Sequence, residues 1–208
     1  LKIYQSAQQT FDSDDDFKAT AKHYLTKLQG GDAQCLGIWS CMATISKKDY
    51  ESIYKMLWVD GLIARGESQY HELCGEVVKD AMKSVARLAE DGKAVVIPFN
   101  DDSLGSFVIQ KKDGAYTYAT TDLAAVKYRL EVLGAKRIIY VTDNRQVLHF
   151  KKLFQSVQKM GWNDIDLTHV EFGFVKGRDG AVLKTRSGTS RSLRDVVLGA
   201  IERAKKSL

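Results

Sequence analysis

The sequence predicts an α/β fold: a mainly helical first segment leading into half of a doubly wound parallel sheet. Three observations carry this. Apolar residues in the first third recur at helical spacing. From Thr120 onward, helical and strand-like stretches alternate. Two β-rich runs, Arg137 to Thr142 and Leu167 to Phe172, flank a helical stretch, the order of a βαβ unit whose strands run parallel. The boundary is expected near residue 92, giving a helical insert or flanking segment 1–92 and an α/β segment 93–208.

Taken in order, Asp14 to Leu28 opens with an acidic turn and stops at Gly30-Gly31, as a helix does. Leu36 to Met56 places Ile38, Cys41, Met42 and Ile45 on one stripe, and Ser46 followed by Asp49 marks a second helix start inside it. A third helix is expected from about Glu72 to Leu88. Ala94 to Phe99 and Gly105 to Gln110 are short apolar runs, and the Asp113-Gly114 turn introduces an expected strand, Tyr116 to Ala119. Leu123, Val126, Leu130 and Leu133 then fall at helical spacing, with Gly134 where a helix ends. Phe150, Leu153, Phe154 and Val157 repeat that spacing before Gly161. Arg178-Asp179-Gly180 reads as a hairpin turn and Arg191 to Lys206 as a closing helix.

The composition is that of an ordinary globular chain of 208 residues, 44% hydrophobic and 27% charged, so a sizeable core is available. No run approaches the roughly 18 apolar residues that cross a bilayer. The polar, acidic start, from Leu1 to Phe17, is unlike a signal or transit peptide, and a first residue other than Met fits a trimmed or partial chain. Cys35, Cys41 and Cys74 are odd in number and match no zinc spacing, so no metal site is expected and reduced thiols in a cytoplasmic protein are. The net charge of +5 is compatible with a polyanionic partner and equally with a basic solvated surface.

In open parallel sheets, ligands bind beyond the carboxyl ends of the strands. That rule selects Tyr118, Thr121 and Asp122 after one strand, Asp143, Gln146 and His149 after the next, and His169 and Gly173 on the last. A phenol, a carboxylate, an amide and imidazoles on one rim suit a polar cation, and a carboxylate takes a guanidinium in a two-point hydrogen bond. Each residue has a plain alternative. Asp122 complements a helix dipole, Thr120 and Thr121 cap, Tyr118 and the histidines pack, Gln146 is solvated, and Gly173 kinks a strand. Lys184, Arg186, Ser187 and Gly188 form a cationic, hydroxyl-bearing loop fit for phosphate oxygens, a composition shared by many surface loops.

Together these blocks resemble the catalytic domain of arginyl-tRNA synthetases. Tyr118-Ala119-Thr120-Thr121-Asp122-Leu123-Ala124-Ala125 is similar to the signature of that family, and Lys112 to Tyr116 to its approach. Ile139-Tyr140-Val141 with Gln146 to Phe150, and then His169 to Gly173, resemble its next two blocks. Leu183-Lys184-Thr185-Arg186-Ser187-Gly188 is similar to the family's degenerate KMSKS loop, with leucine where phenylalanine is more usual. Leu28 to Asp32, Trp39 and Gly66 to Tyr70 resemble it upstream, and no role is assigned to Glu67 or Tyr70.

The resemblance implies the second half of a class I Rossmann-like catalytic domain. It implies activation of L-arginine by Mg-ATP to arginyl-adenylate and transfer to tRNA(Arg). By the same resemblance Tyr118, Asp122 and Gln146 hold arginine, and His149, His169, Val170, Phe172 and Gly173 line the adenosine pocket. Lys184 and Ser187 contact the ATP phosphates, and Lys184 and Arg186 are the candidate catalytic cations. The family's HIGH-type motif does not occur in these residues, nor does its anticodon-binding domain. The remaining half of the protein, as another segment or chain, is therefore an expected partner, and these residues alone are expected to be inactive. Two other readings stay open: a non-catalytic arginine- or nucleotide-binding module of synthetase descent, and a generic nucleotide-binding α/β protein.

Overall fold

The computed structural model describes residues 2–90, 92–174 and 192–207. The chain packs as two units, residues 1–62 with 175–208, and residues 63–174. The described part of the first is helical: α1 (Lys2–Ser13), α2 (Asp15–Gln29), α3 (Ala33–Met56) and, late in the chain, a helix over Leu193–Lys206. Asp14 caps α2 by accepting from the Asp16 and Phe17 amides, at 2.9 Å each, which is why the acidic run starts a helix there. Asp32 caps α3 from the Cys35 amide, and that bond, with Lys27 beside it, holds its carboxyl at about 2. The start expected at Ser46 is not used. With no glycine or proline from Ile38 to Met56, nothing interrupts the hydrogen-bond ladder, and α3 runs through. Its stripe of Ile38, Met42 and Ile45 is exposed, and Ile53 is the buried apolar residue among those described in this unit.

The second unit holds the core. A 3₁₀ segment, Glu67–Leu73, runs into α4 (Cys74–Ser84). The helix expected up to Leu88 stops short because Arg87 and Leu88 pair with Val96 and Val95 as strand β1 (Arg87–Leu88). β2 (Val95–Pro98) and β3 (Ser106–Gln110) complete an antiparallel meander of three strands. The expected strand Tyr116–Ala119 is reduced to one bridge between Tyr116 and Gln110, and α5 (Tyr118–Glu131) begins immediately. The cause lies in two threonines. Thr120 Oγ1 accepts from the Thr117 amide at 3.3 Å, while the Thr117 hydroxyl donates to the Val108 carbonyl at 2.7 Å and that of Thr120 to the Ile109 carbonyl. A capping box thus sews the start of α5 to β3.

β4 (Arg137–Asp143) and β5 (Asp166–Phe172) pair in parallel around α6 (Val147–Lys159), so the βαβ unit is present as expected. One face of this pair carries Ile138 and Tyr140 against Phe150 and Leu153 in the core. The other face leaves Ile139, Val141, Val170 and Phe172 exposed among the described residues. The remaining helix, α7 (Leu193–Lys206), starts on a Ser192–Asp195 capping box. The hairpin at Arg178 to Gly180 lies outside the described residues.

Two polar features lock α4 into this core. Lys127, on α5 and buried, reaches Asp80 at 2.9 Å and Glu76 at 3.0 Å on α4, and Glu131 at 3.2 Å on its own helix. Cys74 is fully buried, and burial, with Glu67 nearby, pushes its thiol up to about 11. Such a group is only about one part in a thousand thiolate at pH 8. Iodoacetamide at that pH is therefore expected to alkylate exposed Cys41 and to leave Cys74 unmodified until the protein unfolds. Peptide mass mapping checks this, and equal labelling of the two in the folded state would contradict it.

Candidate functional site

The start of α5 builds the site. Tyr118, Thr121, Asp122, Ala125 and Arg129 are spaced to share one helical face. Opposite them runs the segment from Arg65 to Tyr70, and between the two lies a hollow of about 200 Å³ lined by Arg65, Glu67, Tyr70 and those five residues. Tyr118 and Asp122 thus come from a helix rather than from a strand end, and Asp122 lies beyond the first turn.

Inside the hollow, both cations are already engaged. Arg65 lies over the Tyr128 ring at 4.3 Å, and Arg129 donates to the Tyr140 hydroxyl at 3.2 Å. Burial, opposed by Arg129 and aided by Asp122, pushes the Tyr140 phenol up to about 12, so it stays protonated. The carboxylates are each half-engaged. Glu67 Oε1 accepts from the Thr121 hydroxyl at 2.6 Å, and Asp122 Oδ2 lies 2.6 Å from His149 Nε2. The other oxygen of each has no hydrogen-bond partner among the described residues. Tyr70 also lines the hollow, and its hydroxyl is buried without a partner. The site therefore has two carboxylates, each with one unpartnered oxygen, lining a small cleft, an acceptor-rich set that fits a planar cation with several N–H groups.

A second hollow of about 400 Å³ lies on the other side of Tyr118, lined among others by Phe107, Arg145, Gln146, His149 and Lys152. Tyr118 lines both hollows, Asp122 the first and Gln146 the second, so the three expected arginine contacts are not gathered round one cavity. Tyr118, which borders both, separates them, and the His149 ring lies 4.9 Å from it between centroids. Arg145 is tied to Asp143 through two side-chain hydrogen bonds of 2.9 and 2.8 Å, which hold the Asp143 carboxyl at about 2. On β5, His169 bonds Thr142 Oγ1 at 2.8 Å and stacks on Phe150 at 4.5 Å. Strand alternation puts it on the opposite face from exposed Val170 and Phe172, with Gly173 following. Lys184, Arg186 and Ser187 lie outside the described residues.

The family model for the catalytic domain of class I (R) tRNA synthetases matches residues 1–208. The chain belongs to that family. An arginine–tRNA ligase of Cyanothece sp. is 43% identical over all of the chain and 36% of its own length. One from Nostoc sp. is 42% identical over 98% of the chain and 36% of its own length. The chain thus spans about a third of the length of these relatives. The arginyl-tRNA synthetase of Plasmodium falciparum superposes with a TM-score of 0.69 at 31% identity, over 93% of this chain and 34% of that one. The Thermus thermophilus arginyl-tRNA synthetase, at 18% identity and a TM-score of 0.51 over 65% of this chain, shares the fold. The α/β class with a parallel pair is that of the class I arginyl-tRNA synthetases.

Within this synthetase domain, Arg65, Glu67, Tyr70 and Arg129 line the first hollow and Tyr140 bonds Arg129, although the sequence assigns none of them a role. The family-like blocks Gly66 to Tyr70 and Ile139 to Val141 contain three of them, but no local pattern ties Glu67 to Thr121, which it meets from 54 positions away. Glu67→Gln is expected to keep the Thr121 bond while removing one negative charge. If this hollow takes arginine, the change should raise the KM for arginine about tenfold or more in the full-length protein, since a hydrogen bond to a charged group is worth about 1.5 kcal/mol or more. Steady-state ATP–pyrophosphate exchange checks this, and an unchanged KM would remove Glu67 from the substrate site.

Proposed function

We propose that the hollow beside the first turns of α5 takes the guanidinium of L-arginine, in a protein that forms arginyl-adenylate from Mg-ATP and passes the arginyl group to tRNA(Arg). The observation that supports this best is the pair Asp122 and Glu67: two carboxylates lining one cleft, each with one oxygen bonded to a neighbour and the other without a hydrogen-bond partner among the described residues. Tyr118 closes the cleft toward the second hollow, where Gln146 orients the amino acid's backbone end. Val170, Phe172 and Gly173, at the carboxyl end of β5, form the adenosine side, with His169 behind them on the strand. Lys184, Arg186 and Ser187 serve the phosphates. In domain terms, residues 1–92 are a helical flank and 93–208 the second half of the catalytic domain.

In the first step, a carboxylate oxygen of arginine attacks the α-phosphorus of ATP and pyrophosphate leaves. In the second, a hydroxyl of the terminal tRNA ribose attacks the adenylate carbonyl and AMP leaves. Neither step needs a nucleophilic side chain. Positioning and charge stabilisation supply the rate. Among the described residues no group of three or more His, Cys, Asp or Glu is placed to hold a metal ion, and Mg²⁺ belongs to the ATP substrate complex. No described helix is long and apolar enough to cross a membrane.

The test is ATP–pyrophosphate exchange by the full-length protein with arginine, lysine or citrulline. Exchange that depends on arginine and not on the other two is expected, because only arginine carries a charged planar fork. The 208 residues alone, which contain no HIGH-type motif, are expected to give none. Arginine binding by the full-length protein without exchange would replace the enzyme by a binding module.

A further inference from the structure

The geometry points to His149 as the residue that orients Asp122 for its substrate. This rests on the proposal that Asp122 holds the arginine guanidinium. His149 Nε2 lies 2.6 Å from Asp122 Oδ2, and its side chain is only 8% exposed. Three rings fix the imidazole: Tyr118 at 4.9 Å, Phe107 at 5.4 Å and Phe150 at 5.2 Å between centroids. Nδ1 is buried and meets no hydrogen-bonding group. A ring that donates from Nε2 and faces nothing at Nδ1 is the neutral Nε2–H tautomer, since an imidazolium would bury a second N–H with no acceptor. The distinction matters for specificity. A neutral donor pins one carboxylate oxygen without cancelling its charge, leaving Oδ1 and a full negative charge for the incoming cation. An arginine or lysine at position 149 would hold the carboxylate as firmly and neutralise it.

His149 is thus a positioning residue: it acts on arginine through Asp122, and fixing the carboxylate beforehand spares the ordering that binding would otherwise require. The phenyl ring of His149→Phe keeps the packing and loses the donor. The amide of His149→Gln reaches the place of Nε2, whereas that of His149→Asn stops near Nδ1 and falls short. In ATP–pyrophosphate exchange by the full-length protein, H149F and H149N should each raise the KM for arginine about tenfold while the KM for ATP stays within about twofold. H149Q should recover to within about threefold of the parent. The double variant H149F/D122N should be no worse than D122N alone, as expected of residues acting in series. H149N stands in if H149F does not fold, with the melting temperature of each variant measured alongside. If D122N raises the KM for arginine and neither H149F nor H149N does, the positioning role is overturned and the arginine site stands. If D122N leaves it unchanged, the arginine site itself is wrong. Equal loss in H149Q and H149F would also overturn the inference, by showing that the ring and not the donor matters.

Discussion

Asp122→Asn is expected to raise the KM for arginine by about 10- to 150-fold in the full-length protein, because a charge-assisted hydrogen bond contributes about 1.5–3 kcal/mol. The size follows from the surroundings of this carboxylate. Its side chain is about one-third exposed, at 35%, so water screens it only in part. Neither cation lining the hollow forms an ion pair with it among the described residues: Arg65 is stacked on Tyr128 and Arg129 is bonded to Tyr140. Removing the charge while keeping the shape leaves the His149 contact available and takes away the electrostatic half of recognition. The KM for ATP should change little. A change in the arginine KM of less than about threefold would contradict the assignment.

The second large effect concerns stability. Lys127→Met is expected to destabilise the protein by about 2–4 kcal/mol at neutral pH, near the lower part of the range for breaking a buried ion pair. Methionine keeps the stem and loses the ammonium, leaving Asp80, Glu76 and Glu131 to face one another around an apolar side chain. Desolvation works against the charge on Lys127, but hydrogen bonds to Asp80, Glu76 and Glu131 outweigh it and hold the ammonium well above the usual lysine range. Its share of stability is therefore complete at neutral pH and is lost only as pH rises through that raised value. The Lys127 hydrogen bond holds Asp80 below its ordinary value against some desolvation, so the carboxylate share is present above about pH 4 and fades as pH falls through the lowered value. Urea unfolding should show the gap between parent and variant at pH 7 and its narrowing in acid. Equal stability at pH 7 would mean that α4 and α5 are held by apolar contacts such as Val77, Ala81 and Leu123 alone.

The regular parts of the fold were legible because their causes are local. Asp14 and the acidic residues after it mark a helix start without outside help, and Gly134 and Gly161, with φ of 60° and 78°, close α5 and α6 at the positions their spacing indicated. Strand, helix and strand between Arg137 and Phe172 followed from period alone. The errors share a different cause. Tyr116 to Ala119 looks like a strand until the carbonyls of Val108 and Ile109 are supplied as partners for Thr117 and Thr120. Arg87 and Leu88 become a strand only because Val95 and Val96 return beside them.

The same division runs through the site. Tyr118 and Asp122 were legible as a pair, four residues apart on one block. Glu67 was not, because its link to the site is a single hydrogen bond across two elements. Gln146 and His149 are close in sequence to one another and not to Asp122. Only the packing of α6 beside α5 assigns His149 Nε2 to the carboxylate and Gln146 to the neighbouring hollow.

The most direct measurement is a crystal structure of the full-length protein soaked with L-arginine. The guanidinium is expected in the hollow at the start of α5, within about 3 Å of Asp122 Oδ1 and of a Glu67 carboxylate oxygen, with the His149–Asp122 bond intact. Arginine bound elsewhere, or bound in that hollow with its guanidinium turned away from both carboxylates, would contradict it.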